Sequence, residues 1–293
     1  MGLRIRTNVS SLIAQRNAQN NANDMERSIE RLSSGNRINR SSDDAAGLAV
    51  SESLRAKVRG LNQAKRNAND AVSMVQIAEG SLNEVGNILV RLRELTVQSS
   101  SDTIGDTERG YLNREYTQMV NEIDRISSTT EFNSLRLFDK DQKDELVVQV
   151  GINNSAPSEN VDTISFNLQG LKGFGSESLG LGKGAEIGPT QSDGSDAVSR
   201  DEISQKLTTI DEALGRVTGE RATLGSIQSR LDTAVNNLSV QTENMSTANS
   251  RIRDVDFAEE TSLLTQAKVL HASSLSVLTQ ANQKPEMALQ LLR

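Results

Sequence analysis

Proline occurs only at positions 157, 189 and 285 of this 293-residue chain. Inside a helix, proline removes a backbone donor and clashes with the preceding turn. Residues 1–156 and 190–284 are therefore free of the strongest helix breaker, and two long helical arms around a different middle are expected.

Apolar spacing supports both arms. Leu54, Val58, Leu61, Ala68, Val72, Val75, Leu82, Leu89 and Leu92 keep to steps of three, four or seven, which places them on one stripe of a helix. Ile203, Leu207, Ile210, Leu214, Val217, Leu224, Ile227, Leu231, Ala234, Leu238, Met245 and Ile252 repeat the alternation over about seven heptads. A third helix is predicted over residues 107–127, where Leu112, Tyr116, Met119, Val120, Ile123 and Ile126 share a face and Asp106 is placed to cap the start.

The middle differs. Residues 146–150 and 163–168 are rich in β-favouring side chains around Asn153, Asn154 and Pro157, as expected of a short strand pair. Residues 170–194 then hold eight of the chain's 20 glycines among Ser, Asp and Thr, the composition of an exposed surface segment.

The two ends are poor in charge. Residues 7–23 carry only Arg16, and residues 261–283 only Lys268 and His271, while both are rich in Ser, Thr, Asn and Gln. Leu263, Leu264, Ala267, Leu270, Val277, Leu278 and Ala281 form an amphipathic stripe whose opposite face is also nearly uncharged. These ends have too few apolar groups to offset their own ordering entropy. They are expected to be disordered alone and helical in an assembly, where neighbouring copies supply the missing surface.

Composition narrows the chemistry. A net charge of −7 and an aromatic content of 2% argue against a nucleic-acid partner, and the basic stretch Arg31, Arg37, Arg40, Arg55, Arg59 and Arg66 is interleaved with acidic residues. No apolar run reaches the roughly 18 residues of a membrane span, so no membrane insertion is expected. The start also lacks a continuous apolar signal core, so any export is expected to bypass the cleaved general secretory signal.

There is no cysteine and one histidine, His271, which leaves no metal cluster of the usual kind. Asp43 and Asp44 follow Ser41 and Ser42 and precede a helical run, so capping is their expected role. No glycine-rich turn leads to a phosphate-binding Lys-Ser or Lys-Thr. No catalytic set, cofactor site or metal site is predicted, and the chain is not expected to be an enzyme.

The run from Ile29 to Val50, IERLSSGNRINRSSDDAAGLAV, closely resembles the N-terminal signature of bacterial flagellins. The run from Arg251 onward, RIRDVDFAEETSLLTQAKVLHASSLSVLTQANQKPEMALQLLR, resembles the flagellin C-terminus. One departure is Ala18, where relatives often carry a larger aliphatic residue.

The resemblance implies a mainly α fold: a long antiparallel helical coiled-coil bundle with a small β-hairpin element, its termini helical in the assembled filament. The organisation implied is an inner helix and connector over 1–42, the N-terminal part of a helical core with its hairpin over 43–169, and a short exposed variable segment over 170–200. The long C-terminal helix of the core then covers 201–254 and a second inner helix 255–293.

By the same resemblance, the chain polymerises with copies of itself into a motility filament. It is exported unfolded through the flagellar type III secretion channel and held before passage by an export chaperone on Leu263, Leu270, Val277 and Leu278. In the filament it meets the hook-filament junction and filament cap proteins, and its location is extracellular. The run Arg91, Leu92, Arg93, Glu94, Leu95, Thr96, Val97 and Gln98 resembles the segment detected by the host Toll-like flagellin receptor. Family contacts carry over to Arg91, Leu95 and Glu115, while Val90 departs from the glutamine common before that arginine.

Overall fold

A computed structural model describes residues 7–139, 145–153, 162–167, 170, 172–182, 187–188 and 200–290, with only the backbone described at 167, 200 and 284–290. Within these, helices α1 (Val9–Ser34), α2 (Ala45–Ser99) and α3 (Asp106–Thr129) precede strands β1 (Glu131–Phe132), β2 (Leu135–Arg136), β3 (Glu145–Gln149) and β4 (Thr163–Asn167). Helices α4 (Arg200–Arg253) and α5 (Phe257–Gln290) follow. The predicted mainly α architecture is the one observed.

The chain forms two compact units. One holds residues 60–242. Along its part of α2, Leu61, Ala64, Ala68, Ala71, Val75, Ala78, Leu82, Val85, Leu89 and Leu92 are buried. These steps of three and four make a heptad seam, and along α4 Ile203, Ile210, Ala213, Val217, Leu224, Ile227, Leu231 and Leu238 keep the same alternation. Tyr116, Val120 and Ile123 of α3 close the core.

The capping residue of α3 differs from expectation. The helix begins at Asp106 itself and its N-cap is Gly105, without a side-chain bond. Asp106 and Glu108 instead place negative charge on the first turn, where the helix dipole favours it.

The β elements are two separate antiparallel pairs, one of which the sequence pattern did not reveal. β1 and β2 make a tight hairpin across Asn133 and Ser134, both with positive φ. β3 and β4 pair with Val147 opposite Ser165, close to the predicted limits; Leu168 lies outside the described residues.

The expectation of an exposed segment at 170–200 is overturned where the structure describes it. Phe174, Leu179, Leu181 and Ile187 are buried in the core, with Phe174 set edge-on to Phe138. The segment is a strap tied to three helices. Ser99 Oγ of α2 donates to the Ile187 carbonyl at 2.5 Å, and the Ile187 N–H donates to Asn113 Oδ1 of α3 at 3.0 Å. Arg216 of α4 donates to the Ser178 carbonyl at 2.6 Å. Glycine here serves close approach: a Cβ on Gly188 would sit 2.5 Å from the Arg109 carbonyl oxygen. Residues 189–199 lie outside the described residues.

The other unit holds residues up to 59 and from 243 onward. Its α1 and α5 run antiparallel, joined to the rest of the unit by a connector at 35–44.

Candidate assembly interface

The connector carries the sequence signature, and its geometry accounts for the residues at each step. Gly35 ends α1 in the left-handed region with φ +70°, which glycine adopts without strain. The chain then pairs with the end of α4: the Arg37 N–H donates to the Arg253 carbonyl at 2.6 Å, and the Val255 N–H to the Gly35 carbonyl at 3.0 Å.

Ile38 is buried. The N–H groups of Asn39 and Arg40 donate to the Asp43 carboxylate, while Asp44 accepts from the Gly47 N–H at 2.8 Å. The acidic pair therefore divides its work: Asp44 caps α2, and Asp43 closes the preceding turn. Arg253 is also bound to Glu52 of α2 at 2.7 Å.

Beyond the connector, α1 and α5 meet through small and polar side chains. Ala14, Ala18 and Ser28 of α1 and Glu260, Ala267 and Ala281 of α5 are buried, and Asn21, Met25, His271 and Ser274 are partly so. Hydrogen bonds fix the register: Asn8 Nδ2 donates to the Ala281 carbonyl at 2.9 Å, Ser11 Oγ to Asn282 Oδ1 at 2.8 Å and Asn21 Nδ2 to Ser274 Oγ at 2.8 Å. Ala18 sits in this seam, where a small side chain is used.

Most of the large aliphatic groups lie outside, although Leu264 of the predicted stripe is half-buried. Val9, Leu12, Ile13 and Ile29 of α1 and Leu263, Val269, Leu270, Leu275 and Val277 of α5 are exposed. Of the predicted stripe, Leu263, Leu270 and Val277 thus stand free. Leu278, one residue later in the heptad, is half-buried on the face turned to α1. A helix pair with alanine inside and leucine outside reverses the usual amphipathic order, and each exposed flank is apolar surface that a further copy can cover.

The Arg91 cluster lies in the other unit. Its guanidinium donates to Glu115 Oε1 through Nε at 3.0 Å and Nη2 at 2.7 Å, and to Glu94 through Nη1 at 3.0 Å. Bonding to Glu115 first, then Glu94, raises the arginine's already high pKa. Leu95 does not join this surface. It is only 1% exposed, inside the core, because it borders the α2 seam. The exposed apolar neighbours are Val90 and Val97.

Among the described residues, no group of three or more His, Cys, Asp and Glu is placed to hold a metal ion, and no helix is long and apolar enough to cross a membrane.

Comparisons with known proteins agree with this arrangement. The family model for the bacterial flagellin N-terminal helical region matches residues 5–143, and that for the flagellin C-terminal helical region matches residues 207–292. A flagellin of Halalkalibacterium halodurans is 41% identical over 289 residues, covering 99% of both chains. One of Bacillus subtilis is 38% identical over 304 aligned positions, covering 99% of this chain and all of that one. Among solved structures, a protein from Vibrio parahaemolyticus described as flagellar hook-associated aligns with a TM-score of 0.58 at 15% identity. It covers 72% of this chain and 100% of that one, a likeness of fold alone.

Proposed function

This chain belongs to the bacterial flagellin family and is a structural subunit of the flagellar filament; on that premise we propose that it polymerises through the exposed flanks of the α1–α5 pair. The observation that carries this is the reversed order of that pair. Its seam is built mainly from small and polar side chains, with Leu264 and Leu278 half-buried, while Leu12, Ile13, Leu263, Leu270 and Val277 face outward. At about 25 cal/mol per Å² of apolar surface, covering these flanks in a neighbour-rich tube supplies what an isolated pair lacks. The contacts are heterologous and do not close, the geometry that gives filaments rather than rings.

Purified protein tests this directly. It is expected to sediment as filaments visible by electron microscopy and to redissolve on heating or acidification. Removal of residues 1–35 or 260–293 is expected to leave soluble helical protein, and filaments from either truncation overturn the role of the tails.

The finer reading is our own and is supported by the family resemblance. The chain is exported unfolded through the flagellar type III secretion channel to the extracellular filament, where it meets the junction and cap proteins. Before passage an export chaperone covers Leu263, Leu270 and Val277, with Leu278 reached only when α5 is separated from α1. Changing the three exposed residues to Ser is expected to weaken chaperone capture in a pull-down together with polymerisation. The host Toll-like flagellin receptor reads Arg91 and Glu115 on the monomer, with Leu95 holding the helix from beneath.

A further inference from the structure

The 60–242 unit carries a pocket and an aromatic–arginine pair that complement each other but lie apart. The pocket, of about 460 Å³, is lined by α2, the β1–β2 hairpin and β3. Ala71, Met74, Phe132, Leu146 and Val148 make its lining mostly apolar, and Asp70 is the one charged residue in it. Asp70 is exposed and has no partner among the described residues. The pocket thus offers an apolar floor and a free carboxylate, both open to solvent.

The pair stands near the start of α3. Tyr111 is 60% exposed, and the Arg114 guanidinium lies over its ring, 5.6 Å from the centroid. Arg91, Arg93 and Arg125 are each held by a carboxylate. Arg114 is exposed and no carboxylate among the described residues serves it. Tyrosine and arginine are the side chains that most often anchor an interface, and the ring face attracts the cation.

These two features cannot meet within one copy. α3 runs antiparallel to α2, since Glu115 bonds Arg91 and Thr130 bonds Ser81. Tyr111 therefore lies beyond the level of Arg91, which is itself 21 residues from Asp70 along α2, or about 31 Å at 1.5 Å per residue.

We propose that Tyr111 of one copy seats in this pocket of a second copy, with Arg114 donating to Asp70. The inference rests on the filament reading and adds to the α1–α5 flanks a contact in the other unit. The pocket covers the ring, and the opposite charges fix its orientation. Because ring and pocket lie far apart on the same unit, every copy presents both and the contact propagates without closing.

Filaments with p-benzoylphenylalanine in place of Tyr111, which keeps a large ring there, are expected on irradiation to give cross-linked dimers. Their linked peptides are expected to contain residues 67–74 or 132–149. Arg114→Glu and Asp70→Arg, both at exposed positions, are each expected to raise the critical concentration for assembly about tenfold or more. The double variant restores an opposite pair and is expected to return to within about threefold of wild type. Cross-links confined to other segments, single variants that assemble like wild type, or a double variant no better than either single overturn the contact and leave the filament reading intact. Wild-type protein that forms no filaments overturns both.

Discussion

The Asp124 carboxylate accepts two hydrogen bonds from Ser176, one from its backbone N–H and one from its hydroxyl, each at 2.7 Å. This single side chain of α3 fixes the turn from which Phe174 and Leu179 enter the core. Asp124→Ala removes both acceptors, at a cost of about 1–3 kcal/mol for bonds to a charged group. Loss of amide protection at Ser176 by hydrogen exchange, together with a lower Tm, is the expected outcome. Unchanged protection there means the strap is held without Asp124.

The strap also marks where sequence reading stopped. Averaged over residues 170–194, glycine and small polar residues dominate, and that composition reads as surface. Four large apolar side chains in the described part of the segment decide its place instead, and their partners Ser99, Asn113 and Asp124 are distant in sequence. The long helices were legible because a heptad seam is a local pattern repeated many times. Connector capping was legible in part: Asp44 was recoverable from its place before an apolar run, whereas the backbone donors to Asp43 depend on a turn no spacing announces. Leu95 joined the receptor cluster through the family resemblance, which carries a position but not its exposure in this chain, and here the residue is buried.

Tyr116 is buried with its hydroxyl unpartnered, and burial pushes its pKa up to about 12 from the ordinary 10. Between these values the unfolded chain has lost the proton while the folded chain keeps it, so stability falls as pH rises from about 10 to about 12. Tyr116→Phe deletes an unsatisfied polar group at nearly constant shape. It is expected to be neutral or stabilising by about 1 kcal/mol near pH 7, and to flatten the alkaline limb of a pH–stability profile. A destabilised Phe variant with an unchanged alkaline limb contradicts this account.

Two helical glycines separate propensity from space. Glycine to alanine in a helix interior gains about 1 kcal/mol on propensity alone. At Gly80 an added Cβ meets nothing within 4 Å, so Gly80→Ala is expected to realise that gain. At Gly47 the same Cβ falls 2.4 Å from Asp44 Oδ2 and 2.8 Å from Ile38 Cδ1. Moving Asp44 sacrifices the α2 cap, worth about 0.5–2 kcal/mol, and Ile38 is buried and has little room. Gly47→Ala is therefore expected to destabilise the connector, and equal stabilisation by both variants in thermal unfolding argues against it.

Acid acts on the connector through Asp43. The Arg40 N–H, donating at 3.0 Å, is the main cause holding this carboxyl below its ordinary range, with desolvation the next largest effect and opposed to it. The Asn39 N–H and the charges of Arg31 and Arg40 add to it. A depressed folded pKa contributes stability that is present above the unfolded value and lost as pH falls through the folded one. The Asn39 and Arg40 amides are expected to lose protection in acid, below the ordinary aspartate range. The effect is modest, under about 1 kcal/mol, because the site is solvent-exposed. In Asp43→Asn those amides are expected to be less protected at neutral pH and to show little further change with acid.

Receptor recognition by the Arg91 cluster requires variants that separate contact from folding. Leu95→Ala opens a cavity in the α2 seam, a change that costs about 2–5 kcal/mol in packed cores, and so lowers any signal through unfolding. Arg91 is exposed, and its removal frees Glu115 and Glu94 to solvent without disturbing the core. In a receptor-reporter assay on monomeric protein, Arg91→Ala is expected to reduce signalling at least about tenfold with Tm nearly unchanged, since one desolvated arginine at an interface centre is worth about 2 kcal/mol or more. Glu115→Gln is expected to act in the same direction more weakly, by removing the charge that orients the guanidinium. Val90→Ala and Val97→Ala, both on exposed positions of α2, report whether an apolar contact accompanies the charge. Full signalling by Arg91→Ala at wild-type stability sinks the assignment of this cluster to the receptor, whatever Leu95→Ala does.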